Sequence, residues 1–183
     1  MSSVAQDGTS FRRRIAHPLL VTLYDYWLAR RGECIAMPRT ALEPLDIPRL
    51  LPHLILSDVG DEGRTIRYRL VGTDIVTAHG SDYTGKTIEE LTTGSTVAFT
   101  QNLYGVIVRE AMPVYSEGSF RWAGKEHRWT KRLHLPLTRS GAVVDMVLAG
   151  QVFEERAPGG EEILQPATPA EIAFDLAALH QRQ

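Results

Sequence analysis

Residues 66–91 read IRYRLVGTDIVTAHGSDYTGKTIEEL. Ile66, Tyr68 and Leu70 alternate with Arg67 and Arg69, the period of two of a half-buried strand, and Gly72 ends the alternation. Thr73 is a good N-cap, so Asp74 to His79 read as about two turns of helix with Ile75 and Val76 turned inward, stopped by Gly80 in the left-handed region. Ser81 to Lys86 is a polar loop. Thr87 and Glu90 have capping-box spacing, which starts a second short helix carrying Ile88 and Leu91.

The same stretch contains a nucleotide-binding pattern. Gly80, Gly85, Lys86 and Thr87 satisfy G-x-x-x-x-G-K-[ST], whose chemistry needs backbone N–H groups and a Lys on the phosphates and a hydroxyl on Mg²⁺. A P-loop enzyme using Gly80 to Thr87 is therefore one reading. Its surroundings are wrong for it: a short helix rather than a buried strand precedes Gly80, Asp82 puts negative charge inside the cradle, and Gly94 soon ends the following helix. The acidic strand candidate, Leu54 to Asp58, lies upstream of the loop rather than downstream.

With 43% hydrophobic and 23% charged residues, the chain has a globular rather than a disordered composition. Its 183 residues suit one domain with extensions. A net charge of −2 gives no global attraction to nucleic acid, and Arg12, Arg13 and Arg14 are the only dense basic run. Cys34 is the only cysteine, so neither an internal disulfide nor a Cys-based zinc site can form, and a reducing compartment fits. No apolar run reaches the roughly 18 residues of a membrane span, and the first ten residues lack a signal-peptide core, so a cytoplasmic protein is expected.

Residues 1–16 read as a flexible arm. His17-Pro18 opens a helix with apolar Leu20, Leu23, Tyr24, Trp27 and Leu28, basic Arg30 and Arg31 in the last turn, and Gly32 as its stop. Its stripe has two possible covers, the outer face of the chain's own sheet and the same helix of a second copy, and we expect both. Leu54 to Val59 reads as a strand joined to the strand at Ile66 by Asp61-Glu62-Gly63-Arg64. Ser95 or Thr96 caps a helix over Val97 to Ala111, with Phe99, Leu103, Val106 and Ile107 on one face.

Three strands follow, Val114 to Trp122, Glu126 to Leu137 and Ala142 to Phe153, as an antiparallel meander. Alternation sets Val114, Gly118, Phe120 and Trp122 with Trp129, Leu133, Leu135 and Leu137 and with Val144, Met146, Leu148 and Val152, the expected core face. Val147, Ala149 and Phe153 form a residual apolar patch on which the Leu20 to Leu28 helix would dock. Residues 154–183 read as an acidic linker with a helix from Thr168-Pro169-Ala170-Glu171 to His180.

Gly80-Ser81-Asp82-Tyr83-Thr84-Gly85-Lys86 resembles the G-x-(D/E)-x-x-G-(K/R) segment of PAS domains, which follows a strand and short helix and leads into the next helix. Pro44-Leu45-Asp46-Ile47-Pro48-Arg49-Leu50-Leu51-Pro52-His53-Leu54 and Arg132-Leu133-His134-Leu135-Pro136-Leu137 are similar to segments that recur in a proteobacterial subfamily often called PAS type 5. The resemblance covers about Leu19 to Phe153. It implies an α+β domain over 17–153: a five-stranded antiparallel sheet with helices over one face, any ligand lying between them, plus the N-terminal amphipathic helix and C-terminal helical tail.

The resemblance further implies a stand-alone sensory or regulatory module, not an enzyme, working in bacterial signal transduction through a small ligand, a partner protein or both. Expected ligand-lining residues are Tyr68, His79, Leu103, Ile107, Trp122, Trp129 and Met146, with a filled apolar core as the alternative for the same side chains. Expected dimerisation residues are Leu20, Leu23, Tyr24 and Trp27, in a homodimer that engages an unidentified signalling protein but neither nucleic acid nor membrane. A ligand would shift the N-terminal helix against the sheet; a purely structural dimerisation module is the third reading. The cofactor is unknown. Haem-binding PAS proteins use a His on the long helix, which Val97 to Ala111 lacks, and the flavin type's Asn-Cys-Arg motif is absent around Cys34. His127 and His134 fall seven residues apart on one strand and so on opposite faces, and no metal site is expected. Asp74, His79 and Ser81 have the residue types of a nucleophilic triad, but nothing places an oxyanion hole, and no catalytic residue is assigned.

Overall fold

A computed structural model describes residues 10–119, 128–155 and 161–181. Helix α1 (Pro18–Arg31) begins where His17 Nδ1 accepts the Leu19 N–H at 3.3 Å, and ends at Gly32 with φ 56°. The two-residue β1 (Met37–Pro38) precedes short 3₁₀ turns at Arg39–Ala41, Pro44–Asp46 and Leu51–His53, as the prolines require. β2 (Leu54–Gly60) and β3 (Thr65–Val71) form the expected hairpin. Then come α2 (Thr73–His79), closed by Gly80 at φ 95°, α3 (Ile88–Leu91) with its Thr87–Glu90 capping box, and α4 (Ser95–Glu110). Gly72 rather than Thr73 is the N-cap of α2, and its amide bonds Leu54 O at 2.8 Å, tying the helix start to β2.

The remaining elements are β4 (Val114–Ser119), β5 (Arg128–Thr138), β6 (Met146–Glu155), β7 (Ile163–Pro166) and α5 (Pro169–His180). The strands pair antiparallel in the order β3-β2-β6-β5-β4-β7, and β1 joins β5 in parallel at Met37 and Leu137. The fold is α+β with an antiparallel sheet, as expected, but among the described residues the sheet has seven strands rather than five. β7 lies in the stretch read as an acidic linker: four residues with an exposed leucine carry too little periodicity to be seen, and pairing with β4 makes them a strand.

Both faces of the sheet are covered. On one, Leu133, Leu135 and Leu137 of β5, with Met146, Leu148 and Val152 of β6, pack against Leu20, Leu23, Tyr24, Trp27 and Leu28 of α1. On the other, Ile55, Ile66, Tyr68, Val114, Val147 and Ala149 meet Ile75, Ile88, Leu103, Tyr104 and Ile107 from α2, α3 and α4. This corrects the expected faces. The residues read as the core under α2–α4 lie under α1, whereas Val147 and Ala149, read as the dock for α1, face α2–α4. Val114 is opposite His134 in the ladder, so it shares a face with His134 and not with Leu133 or Leu135. With both faces apolar, alternation separates them without saying which is which. Phe120 and Trp122 lie outside the described residues.

Gly150 explains how closely α1 approaches. A Cβ there would stand 2.6 Å from Leu23 Cδ2 and 2.8 Å from Leu20 Cδ2. Trp27 Nε1 donates to Pro136 O at 2.9 Å, supplying the buried indole with its partner.

The termini also pack. Phe11, in a turn over Phe11–Arg14, is fully buried, so residues 10–16 are not part of a flexible arm. Asp175 of α5, itself buried, accepts from Ser10 Oγ at 2.5 Å, from the Arg12 N–H at 3.0 Å and from Tyr24 OH at 3.0 Å. Arg12 forms a bidentate pair with Asp25, and Arg14 reaches Glu171 at 2.8 Å. Three segments distant in sequence thus meet on one carboxylate.

Leu20, Leu23, Tyr24 and Trp27 are at most 1% exposed within a single chain. The expected dimerisation residues are therefore covered by the chain's own sheet, which leaves a second copy no access to them. Leu23→Ala is expected to cost about 2–5 kcal/mol of stability. In urea denaturation, Leu45→Ala, at a leucine 86% exposed, should change it by less than about 0.5 kcal/mol. Equal effects of the two substitutions would contradict α1 as core.

Candidate functional site

Between the sheet and α2–α4 lies a cavity of about 130 Å³. Its walls are Ile55 and Tyr68 from β2 and β3, Ile75 and His79 from α2, Tyr83 from the loop, Ile88 from α3, and Phe99, Leu103 and Tyr104 from α4. The rings form an edge-to-face set: Tyr68 and Tyr83 centroids are 4.9 Å apart, His79 and Tyr83 4.8 Å, and Tyr104 and His134 5.8 Å. His79 Nδ1 is 3.0 Å from Ser81 Oγ.

The floor is polar. Arg132 and His134 of β5 point to the same side at two-residue spacing, and Gln151 of β6 stands opposite Arg132 in the ladder. His134 is 6% exposed, and its Nδ1 is buried with no hydrogen-bond partner. Burial first, then the neighbouring Arg132 cation, pushes the imidazole down to about 3, so it is neutral at ordinary pH. Burial likewise pushes the Tyr68, Tyr83 and Tyr104 phenols up, keeping all three as O–H groups, and Tyr104 OH lies 3.4 Å from Ser57 Oγ. The site combines a ring-lined apolar volume with a cation, an amide and a neutral imidazole that has an unused hydrogen-bonding atom.

Of the residues expected from sequence, Tyr68, His79 and Leu103 line this cavity, and Ile107 is fully buried behind it in the same apolar cluster. Met146 and Trp129 do not line it. Met146 packs in the α1 cluster, and the Trp129 Nε1 donates to Glu117 Oε2 at 3.2 Å, the carboxylate whose Oε1 accepts from Tyr115 OH in that same layer. Both errors follow from the exchange of sheet faces. Trp122 lies outside the described residues. The floor residues Arg132, His134 and Gln151 were missed. The signal was there: Thr130, Arg132 and His134 interrupt an apolar strand at every second position, placing three polar groups on one buried face.

The loop that matches the phosphate-binding pattern has its donors occupied. The Gly85 N–H bonds Tyr68 O at 2.6 Å, the Lys86 N–H bonds Tyr83 O at 3.1 Å, and the Tyr68 N–H returns to Lys86 O at 2.9 Å. Thr84 N–H goes to Asp82 Oδ1 at 2.9 Å and Thr87 N–H to Glu90 Oε2 at 2.7 Å. The Thr84 backbone N–H first, and then its hydroxyl, hold the Asp82 carboxyl below its usual range, so a negative charge stands where phosphate would have to. The loop is laced to β3 rather than opened toward an anion, and the helix after it has four residues. Among the described residues no group of three or more His, Cys, Asp or Glu side chains could hold a metal ion, and no helix is long and apolar enough to cross a membrane.

A family model described as PAS domain matches residues 15–149, more than half of the chain, and the chain belongs to that family. Among curated proteins and among solved structures, no significant match was found. PAS domains are sensory or regulatory modules, generally without catalytic activity, and commonly mediate dimerisation or protein interaction.

The buried imidazole sets a pH dependence. Its folded value is depressed below the unfolded value of about 6.5, so the unfolded chain binds the extra proton, and stability falls as pH drops from about 6.5 toward about 3. Within that window His134 alone should contribute a slope of about 1.4 kcal/mol per pH unit. His134→Phe is expected to remove about that much slope when urea stability is measured between pH 6 and 4, and an unaltered slope would contradict it.

Proposed function

We propose that this chain, as a member of the PAS family, senses a small molecule held in the cavity between the sheet and α2–α4, and passes the binding event to a partner protein in a signalling pathway. The observation that supports this is the His134 Nδ1: a buried nitrogen without a partner in a ring-lined cavity is a costly feature in a core that serves packing alone, and a ligand would satisfy it. Tyr68, His79 and Leu103 would contact the ligand, and Ile107 would back them.

The responsive layer in this reading is α2–α4. α1 is clamped between the sheet and the C-terminal helix by its apolar stripe and by the Tyr24–Asp175 bond, so it acts as scaffold. A ligand changes the outer surface of α4 only to the degree that it binds one arrangement of that layer better than another. A homodimer of this fold would pair surfaces other than Leu20, Leu23, Tyr24 and Trp27.

Native and denatured mass spectra of freshly purified protein test the reading. A non-covalent mass excess is expected, and Ala149→Leu, which places three more carbons on a cavity-lining position, should abolish it. Overpacking of this kind costs about 1–3 kcal/mol, so the melt of the variant verifies that it remains folded. Absence of any excess, together with failure of small molecules to raise the melting temperature, would favour a structural module with a filled core.

A further inference from the structure

The cavity's size, its walls and one buried nitrogen together define a class of ligand, which deepens the sensory reading and rests on it. About 130 Å³ is close to the roughly 150 Å³ that accommodates a benzene molecule in an apolar protein cavity, so one small ring fits and a nucleotide, flavin or haem does not. The walls present aromatic side chains from Tyr68, Tyr83, Phe99 and Tyr104. The Tyr68–Tyr83 and Tyr104–His134 pairs already stand edge-to-face, the arrangement in which a further ring gains beyond its burial. An aliphatic body of equal volume gains burial alone.

The nitrogen selects the polar group that the ring carries. His134 lines the cavity, is 6% exposed and is neutral, so its imidazole has a single N–H. That N–H goes to the Val114 backbone, its neighbour across the β4–β5 ladder. Nδ1 is then a lone pair that no donor among the described residues reaches. A buried acceptor in this state is costly, and only a group that brings a hydrogen satisfies it.

Three kinds of polar group compete for that place. A carboxylate has no hydrogen to give. An ammonium has, but it would add a second cation near Arg132, whose charge already disfavours a protonated His134, in a site where burial penalises charge. A neutral hydroxyl brings one hydrogen and no charge. On an aromatic ring it is the stronger donor and still keeps its proton at neutral pH, as a tyrosine side chain with a pKa of about 10 does. A water molecule could also donate, but it would leave most of the ring-lined volume empty.

We propose that the cavity binds a small neutral phenol, its hydroxyl donating to His134 Nδ1 and its ring lying among Tyr68, Phe99, Leu103 and Tyr104. Nδ1 is sealed from solvent, with the Tyr104 ring edge-on to the imidazole at 5.8 Å between centroids, so the hydroxyl reaches it as one of these two rings turns. The proton stays on oxygen, because its transfer would create two buried charges.

Phenol and toluene, which carries a methyl in place of the hydroxyl, are the probes, titrated calorimetrically into the full chain. Where purified protein retains a ligand, displacement is read as loss of the mass excess. Phenol is expected to bind with Kd below about 1 mM. His134→Leu keeps a side chain of similar size and removes the acceptor. It should weaken phenol by about tenfold or more while leaving toluene within about twofold. In the unaltered chain carrying isotope-labelled histidine, the nitrogen resonance of His134 Nδ1 should move markedly with phenol and little with toluene. That readout decides the contact if the melting curve shows that His134→Leu fails to fold.

A folded His134→Leu that loses no more affinity for phenol than for toluene would overturn the hydroxyl contact, as would an Nδ1 resonance that phenol leaves in place. So would a folded wild-type chain that ignores phenol while keeping a mass excess that Ala149→Leu removes, and that outcome leaves the sensory reading standing. A chain with no excess and no affinity for either probe overturns both.

Discussion

The structure depends on a sheet that is buried on both faces by covers of different chemistry. β5 shows it within one strand: Leu133, Leu135 and Leu137 face α1, while Thr130, Arg132 and His134 face α2–α4. The first set can only be packed, and a fourteen-residue helix with five buried apolar side chains packs it. The second set cannot be sealed under an apolar layer without partners, because each polar group withdrawn from water must be satisfied. The cavity is the consequence. The layer over it comes from three short-to-medium helices and a loop and leaves a ring-sized space above the polar positions.

Much of this was legible in the sequence. Helix limits were set by local chemistry that no tertiary contact overrides: Gly32 and Gly80 as stops, Thr87–Glu90 and Thr168–Glu171 as capping boxes. The hairpin of β2 and β3 and the order of the meander followed from alternation and turn residues. What alternation cannot give is the identity of a face when both are covered, and that one ambiguity misplaced Met146 and Trp129 and sent α1 to the wrong side. The packing of the termini was not legible for a different reason. Asp175 meets Ser10, Arg12 and Tyr24 across separations of 151 to 165 residues, and no local pattern encodes such a meeting. His134 was set aside as a metal ligand and otherwise read only as part of the Arg132–Leu137 segment, although a lone histidine among buried leucines is itself a prompt to ask what it bonds.

The nucleotide-binding pattern shows why spacing alone carries little chemistry. A phosphate cradle is a property of unoccupied N–H groups aimed at one point. From Thr84 to Thr87 each amide is bonded within the protein, two of them to Asp82 and Glu90 carboxylates and one to β3. The same glycine that would open a cradle lets the chain turn back: Gly85 at φ 88° allows its amide and the Lys86 carbonyl to bracket Tyr68. The loop therefore acts on the cavity from outside. By holding Tyr68 at the backbone and placing Tyr83 against it, the segment that looks like a phosphate site builds one aromatic wall of a different one.

At Gly150 the two halves of the molecule approach each other closely. Its backbone lines the cavity, and on the other side the space a Cβ would take is filled by Leu20 and Leu23 of α1. The sheet at that point is one backbone thick, so the cavity and the scaffold helix are separated by no side chain at all. A change in what presses on the floor is felt first by β6, and β6 is held to β5 and β2 by continuous ladders that resist local movement. The opposite wall is differently placed. α4 meets the sheet through side chains at the cavity, with a Tyr104–Ser57 contact of 3.4 Å and a partly exposed Phe99, and is packed backbone to backbone where Gly105 lies against Gly63 in the turn between β2 and β3. The floor below is thus held by backbone ladders, whereas over the cavity itself α4 rests on side chains, with a close backbone contact at Gly105.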